Sequence, residues 1–133
     1  MTLKEYFNNT RGTGVLATAD NEGRTDAAIY SRPHIIDDGS LAFIMRERLS
    51  LNNLQSNPYA TFLFMEQAAH LTGIRLFMKK TGEDTNEELI SRMTRRNLTP
   101  EEDKAAGPKH IVYFNLDKIL SLVGGNEVDM EII

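Results

Sequence analysis

The sequence predicts a mainly β fold of six or seven antiparallel strands with a few short helices outside them, forming a small closed or split barrel. Three observations carry this prediction. Short apolar runs recur along the chain, separated by clusters of Asp, Asn and Gly that favour turns. The first runs are joined by tight turns, and strands so connected pair antiparallel. At 133 residues the chain is one domain by length and large enough for a real hydrophobic core.

Each element follows in order. Thr2 with Glu5 three residues on is a capping-box spacing, which predicts a short helix over 3–9 that fades at Asn8-Asn9. "GVLATAD" (14–20) reads as a strand, and "DNEG" (20–23) supplies the turn into "TDAAIYSRPHII" (25–36). Pro33 cannot donate to a ladder, so an edge or bulge is expected there. "DDG" (37–39) turns into "SLAFIM" (40–45), which makes the first three strands a meander. Ser50 to Asn57 is helix-compatible and stops before Pro58. "YATFLFME" (59–66) is apolar on both faces, as in a central or doubly covered strand. "HLTGIRLFMKK" (70–80) is a long strand in which Gly73 marks a bulge or a close backbone approach. Thr85 and Glu88 form a second capping box for a helix over 86–97, with Leu89, Ile90 and Met93 as its apolar stripe. Thr99, Pro100 and Glu102 open one more helical turn, which Gly107-Pro108 ends. "HIVYFNL" (110–116) and "ILSLVGG" (119–125) are the last strands, and the acidic tail after Gly125 is expected to be peripheral. No repeat, low-complexity segment or linker interrupts a single domain over 1–133.

Composition excludes several classes. Nineteen acidic against fifteen basic residues give a net charge of −4, and without a long basic run nucleic acid is not expected as a partner. There is no cysteine, hence no disulfide, iron–sulfur cluster or thiolate chemistry. His34, His70 and His110 are scattered without metal-ligand spacing, so no preformed metal site is expected. The N-terminal "MTLKEYFNNTRG" lacks the apolar core of a signal peptide, and no stretch is long enough to span a bilayer. The expected location is cytoplasmic, with no membrane partner.

Two stretches carry candidate chemistry. In "IMRERLSLNNLQSNPYATFLF" (44–64), Arg46 and Arg48 fall on one side of an extended segment, and Ser50 joins them where a helix begins. If Ser50 caps that helix, the free first-turn N–H groups lie beside two guanidiniums, the makings of a phosphate cradle. The plainer reading is a solvated Arg-Glu-Arg run. In Arg32-Pro33-His34 the proline frees an edge and its neighbours can donate to a planar polar ligand; the plainer reading is a bulge with exposed side chains. His70 and His110, at strand starts, read as structural, and Arg92, Arg95 and Arg96 as a solvated helix face. "GTG" (12–14) is too short for a dinucleotide fingerprint, and no P-loop or nucleophile elbow is present.

The order of "GVLATADNEGRTDAAIY", "DDGSLAFIM" and "RLSLNNLQSNPYATFLF" resembles the pyridoxamine 5′-phosphate oxidase-like family of FMN-binding split barrels. The matching signature includes Asn53-Leu54 at the end of the short helix and Asn57-Pro58 before the next strand, and it spans about Gly14 to Val123. The resemblance implies a homodimer with FMN at its interface and the phosphate at the corner after the third strand. Carried over, Met45, Arg46, Arg48, Ser50 and Asn53 fall on the phosphate corner, and Tyr30, Arg32, Pro33 and His34 on the strand beside the isoalloxazine ring. It implies an FMN-dependent oxidoreductase with an unnamed small-molecule substrate, in which His34 is the candidate catalytic group. Relatives that bind deazaflavin or heme, a non-enzymatic FMN carrier or sensor, and an empty interaction scaffold are the alternatives. Many relatives carry lysine where this chain has Ser50, and this chain has no tryptophan, so pyridoxamine phosphate oxidation itself is not expected.

Overall fold

Alternating buried and exposed side chains along the apolar runs build one antiparallel sheet. The computed structural model describes residues 1–94 and 98–133. In chain order the elements are α1 (Leu3–Asn9), β1 (Gly12–Ala19), β2 (Thr25–Tyr30), β3 (His34–Ile35), β4 (Leu41–Arg46), α2 (Leu49–Ser56), β5 (Tyr59–Glu66), β6 (Gly73–Asp84), α3 (Glu87–Met93), α4 (Pro100–Ala105) and β7 (Lys109–Ser121). The sheet order is β2-β1-β5-β6-β7-β4-β3.

That order makes β2 and β3 the two edges, although only Ser31, Arg32 and Pro33 separate them in sequence. A flat sheet would hold its edges about 29 Å apart at about 4.8 Å per strand. The chain from Tyr30 to His34 reaches at most about 14 Å. The sheet must therefore curl until its edges nearly meet without pairing. The result is a split barrel, and residues 31–33 cross the split.

The inward side chains fill the barrel. Phe43, Phe62, Phe64 and Phe114 are buried with Leu16, Leu76 and Met78. Phe43 meets Phe114 edge-to-face at 5.7 Å and Phe62 at a tilt at 5.2 Å, geometries that suit the ring quadrupoles. On β5, Ala60, Phe62 and Phe64 point inward while Thr61, Leu63 and Met65 point outward. Helix α1 packs Leu3, Tyr6 and Phe7 into the same core, and its Thr2–Glu5 capping box is complete. Gly73 is where the sequence asked for close approach: a Cβ there would lie 1.9 Å from the Phe64 carbonyl oxygen.

Several expectations change. The first three strands are not a meander, because β4 pairs with β7 and β3 while β2 pairs only with β1. The two final strands are one, β7, in which Leu116 faces Met78 and Lys118 faces Phe77. Asp117 is the extra residue of a bulge rather than a turn. Helix α2 starts after Arg48, not Ser50, and α3 is capped by Asn86, whose side chain accepts from the Leu89 N–H, not by Thr85. Helix α3 ends at Met93, and the expected arginine face at Arg95 and Arg96 lies outside the described residues. The tail is not peripheral. Leu3 and Lys4 N–H donate to Glu131 and Ile132 carbonyls at 2.7 and 3.0 Å, and Val128, Met130 and Ile132 pack on the core. Their alternation supplies an apolar face that the acidic residues between them obscure. No helix among the described residues is long and apolar enough to cross a membrane.

Candidate functional site

The split opens into a cleft of about 620 Å³, within the size range of small-molecule sites. Strand β2 contributes Asp26, Ala28, Ile29 and Tyr30, the crossing segment Ser31 and Arg32, and β3 His34. Strand β4 adds Phe43, Ile44 and Arg46, and the start of α2 adds Arg48, Leu49 and Ser50. The far wall is Met93, Thr94, Leu98 and Lys109. One wall is thus aromatic and aliphatic, while the polar groups gather at the split and at the first turn of α2.

Of the residues singled out from the sequence, Tyr30, Arg32, His34, Arg46, Arg48 and Ser50 meet in this cleft. Pro33 is buried in the crossing. Met45 points into the core. Asn53 is buried, and its Nδ2 donates to Thr18 Oγ1 at 3.0 Å, which anchors α2 to β1.

The three arginines differ in what they already hold. Arg32 Nη1 donates to the carbonyls of Phe7 and Thr10 at 2.6 and 3.1 Å, satisfying the end of α1 where carbonyls lack helical partners. Arg46 Nη1 donates to the Gly107 carbonyl and, at 3.2 Å, to that of Asp103; its Nη2 pairs with Asp103 Oδ1 at 2.8 Å. Lys109 Nζ reaches the same carboxylate oxygen at 2.8 Å. Hydrogen bonds from Lys109 and Arg46 hold the Asp103 carboxyl below its usual range. Arg48 is exposed, and its side chain forms no hydrogen bond or ion pair among the described residues. It is the N-cap of α2 and gives the helix no side-chain cap. The first-turn N–H groups of α2 therefore meet the cleft with partial positive charge and no protein acceptor from the cap.

Tyr30 and Ser50 share the corner. Burial pushes the Tyr30 phenol up, against a hydrogen bond with Ser50 and the charge of Arg48, while Asp26 adds to the rise. Ser50 Oγ donates to Asp26 Oδ2 at 3.4 Å. Sequence reasoning missed Asp26, although period-two alternation from Tyr30 through Ala28 puts it on the same face. It also missed Lys109, which sits opposite Arg46 in the β4–β7 register and could not be found without that pairing. His70 and His110 lie outside the cleft. His110 Nε2 is 3.1 Å from Glu47 Oε2, and its Nδ1 is 3.5 Å from Glu83 Oε1.

No protein-family model and no curated protein matches the sequence. Solved structures do match it. An FMN-binding protein from Syntrophomonas wolfei superposes with a TM-score of 0.72 at 20% identity, covering 94% of this chain and 86% of that one. An F420 reductase gives 0.65 at 14% identity, covering 86% and 94%. A heme binding protein from Mycobacterium smegmatis gives 0.57 at 16% identity, covering 92% of this chain and 52% of that one. At these identities the likeness is one of fold. The chain has the pyridoxamine 5′-phosphate oxidase-like split-barrel fold, shared by structures described as an FMN-binding protein, an F420 reductase and a heme binding protein.

Proposed function

We propose that the chain is a cytoplasmic, homodimeric flavoprotein that holds FMN in the split cleft and acts as an oxidoreductase. One observation carries this reading: the start of α2, which has no side-chain cap, and the uncommitted Arg48 side chain line the same cleft as the largely apolar wall around Tyr30 and Phe43. Arg48 and the first-turn N–H groups of α2, that of Ser50 among them, would take the phosphate. Phe43, Ile44, Leu49 and Met93 would cover the ring and keep water from it, with Arg32 and His34 at its polar edge. The flavin, when bound, supplies hydride or electron transfer. The chain's part is position, exclusion of water and a titratable group, and His34 is the histidine lining the cleft among the described residues.

The outer face of the sheet supports the dimer. Ile29, Val15 and Leu63 stand in cross-strand register on β2, β1 and β5, and Ile29 is 72% exposed. A two-fold pairing would bury this same patch from both copies. Light scattering of the cofactor-bound protein is expected to give the mass of two chains at micromolar concentration; one chain would overturn the dimer.

The spectrum of freshly purified protein tests the cofactor, because flavin, deazaflavin and heme absorb in different bands. Flavin bands that release FMN on denaturation are expected. A heme spectrum, or a colourless protein that FMN does not saturate, would overturn the reading.

A further inference from the structure

The cleft contains an acidic group that phosphate binding does not use. Asp26 lies on β2 on the same face as Tyr30 and lines the corner beside the start of α2. Its Oδ2 accepts from Ser50 Oγ at 3.4 Å, and its other oxygen has no partner among the described residues. An ionised carboxylate only accepts hydrogen bonds, so a phosphate oxygen cannot complement it. The group that meets Asp26 must donate.

We infer that Asp26 receives a hydroxyl of the chain that carries the phosphate, so that the corner selects a polyol phosphate. The assignment rests on the reading of this cleft as a flavin-type site, and it specifies which part of the ligand is read. Arg48 and the first turn of α2 attract an anion, while Asp26, on the neighbouring strand, repels one and accepts a donor. A ribityl phosphate presents both groups in sequence: hydroxyls along the chain and the anion at its end. FMN and the deazaflavins share that chain. A tetrapyrrole whose polar ends are carboxylates alone offers Asp26 only repulsion, and such a built-in penalty is how a site rejects the wrong ligand. Ser50 fits the same arrangement, since its one proton goes to Asp26 and its α2 position leaves the backbone N–H groups to the phosphate.

Three flavins that differ by one group each test this: FMN, riboflavin without the phosphate, and lumiflavin without the ribityl chain. Binding is read by flavin fluorescence for wild type, Asp26→Ala and Asp26→Asn. Asp26→Ala is expected to weaken FMN and riboflavin alike, by about tenfold, the loss of one charge-assisted hydrogen bond, and to leave lumiflavin unchanged. Asp26→Asn keeps the shape and one acceptor oxygen, and a smaller loss in the same pattern is expected. Tighter FMN binding in Asp26→Ala with riboflavin unchanged would overturn the assignment, because the carboxylate would then be opposing the phosphate. Equal weakening of all three flavins, or of none, would overturn it as well. The wild type separates the two levels: FMN no tighter than lumiflavin defeats the cofactor reading itself, whereas tight FMN binding that Asp26→Ala leaves intact defeats only the role of Asp26.

Discussion

Arg46 and Arg48 stand on either side of Glu47, where β4 passes into α2, and both line the cleft, yet the structure treats them differently. The Arg46 side chain is 16% exposed and clamps the end of α4 through Asp103 and the Gly107 carbonyl. Arg48 is exposed, caps nothing with its side chain and holds no acidic partner among the described residues. The difference comes from α4, which enters the chain more than fifty residues later and brings its carboxylate to one guanidinium only. Two arginines that a sequence presents as a matched pair thus divide into a structural clamp and a group available to a ligand.

Arg46→Ala should produce the largest effect on stability. It removes part-buried hydrogen bonds to two carbonyls and a carboxylate, and bonds to charged groups are worth about 1.5–3 kcal/mol. A loss of about 1–3 kcal/mol in unfolding free energy, read from the shift of the denaturant midpoint, is expected once partial exposure of Asp103 is allowed for. An unchanged midpoint would place Arg46 in the same class as Arg48.

Asp103→Asn should act less and only over part of the pH range. The Asp103 carboxyl sits below its usual range in the fold because of Lys109 and Arg46. A group whose folded value is lowered stabilises above its unfolded value, about 3.9 for Asp, and that contribution is lost as pH falls through the lower folded value. Wild type should therefore exceed Asp103→Asn in stability at neutral pH, and the gap should close below about pH 4. A gap that persists into strong acid would mean that the carboxylate charge is not what holds α4.

Arg48→Ala is the smallest of the three. With no side-chain partner to lose, its unfolding free energy should stay within about 0.5 kcal/mol of wild type. A large loss would contradict the view that Arg48 is free of structural duty.

The same contrast shows what the sequence could and could not disclose. Short apolar runs bounded by turn residues identified β1, β4 and β5, because such a run answers to its own burial. Capping chemistry placed α1 and α4 through Thr2, Glu5 and Thr99. What failed depended on long-range pairing. The polar pair Asp117-Lys118 mimics a turn, but a bulge against β6 absorbs it. The run 25–36 read as one strand with a bulge or edge at Pro33, and instead it breaks at 31–33 into β2 and β3 at opposite edges of the sheet. In the cleft, the resemblance and the residue types picked out the seam and the crossing segment, while the commitment of Arg46 to α4 and the presence of Lys109 required the fold.

The most direct test of the account is the affinity of wild type and Arg48→Ala for FMN and for riboflavin, measured side by side by calorimetry. If the anion sits between Arg48 and the start of α2, the substitution should cost FMN more than about tenfold, the worth of charge-assisted hydrogen bonds to one guanidinium. Riboflavin, which lacks the phosphate, should bind the two proteins alike. Equal losses for both ligands, or no loss for FMN, would contradict the account and put the phosphate elsewhere on the protein.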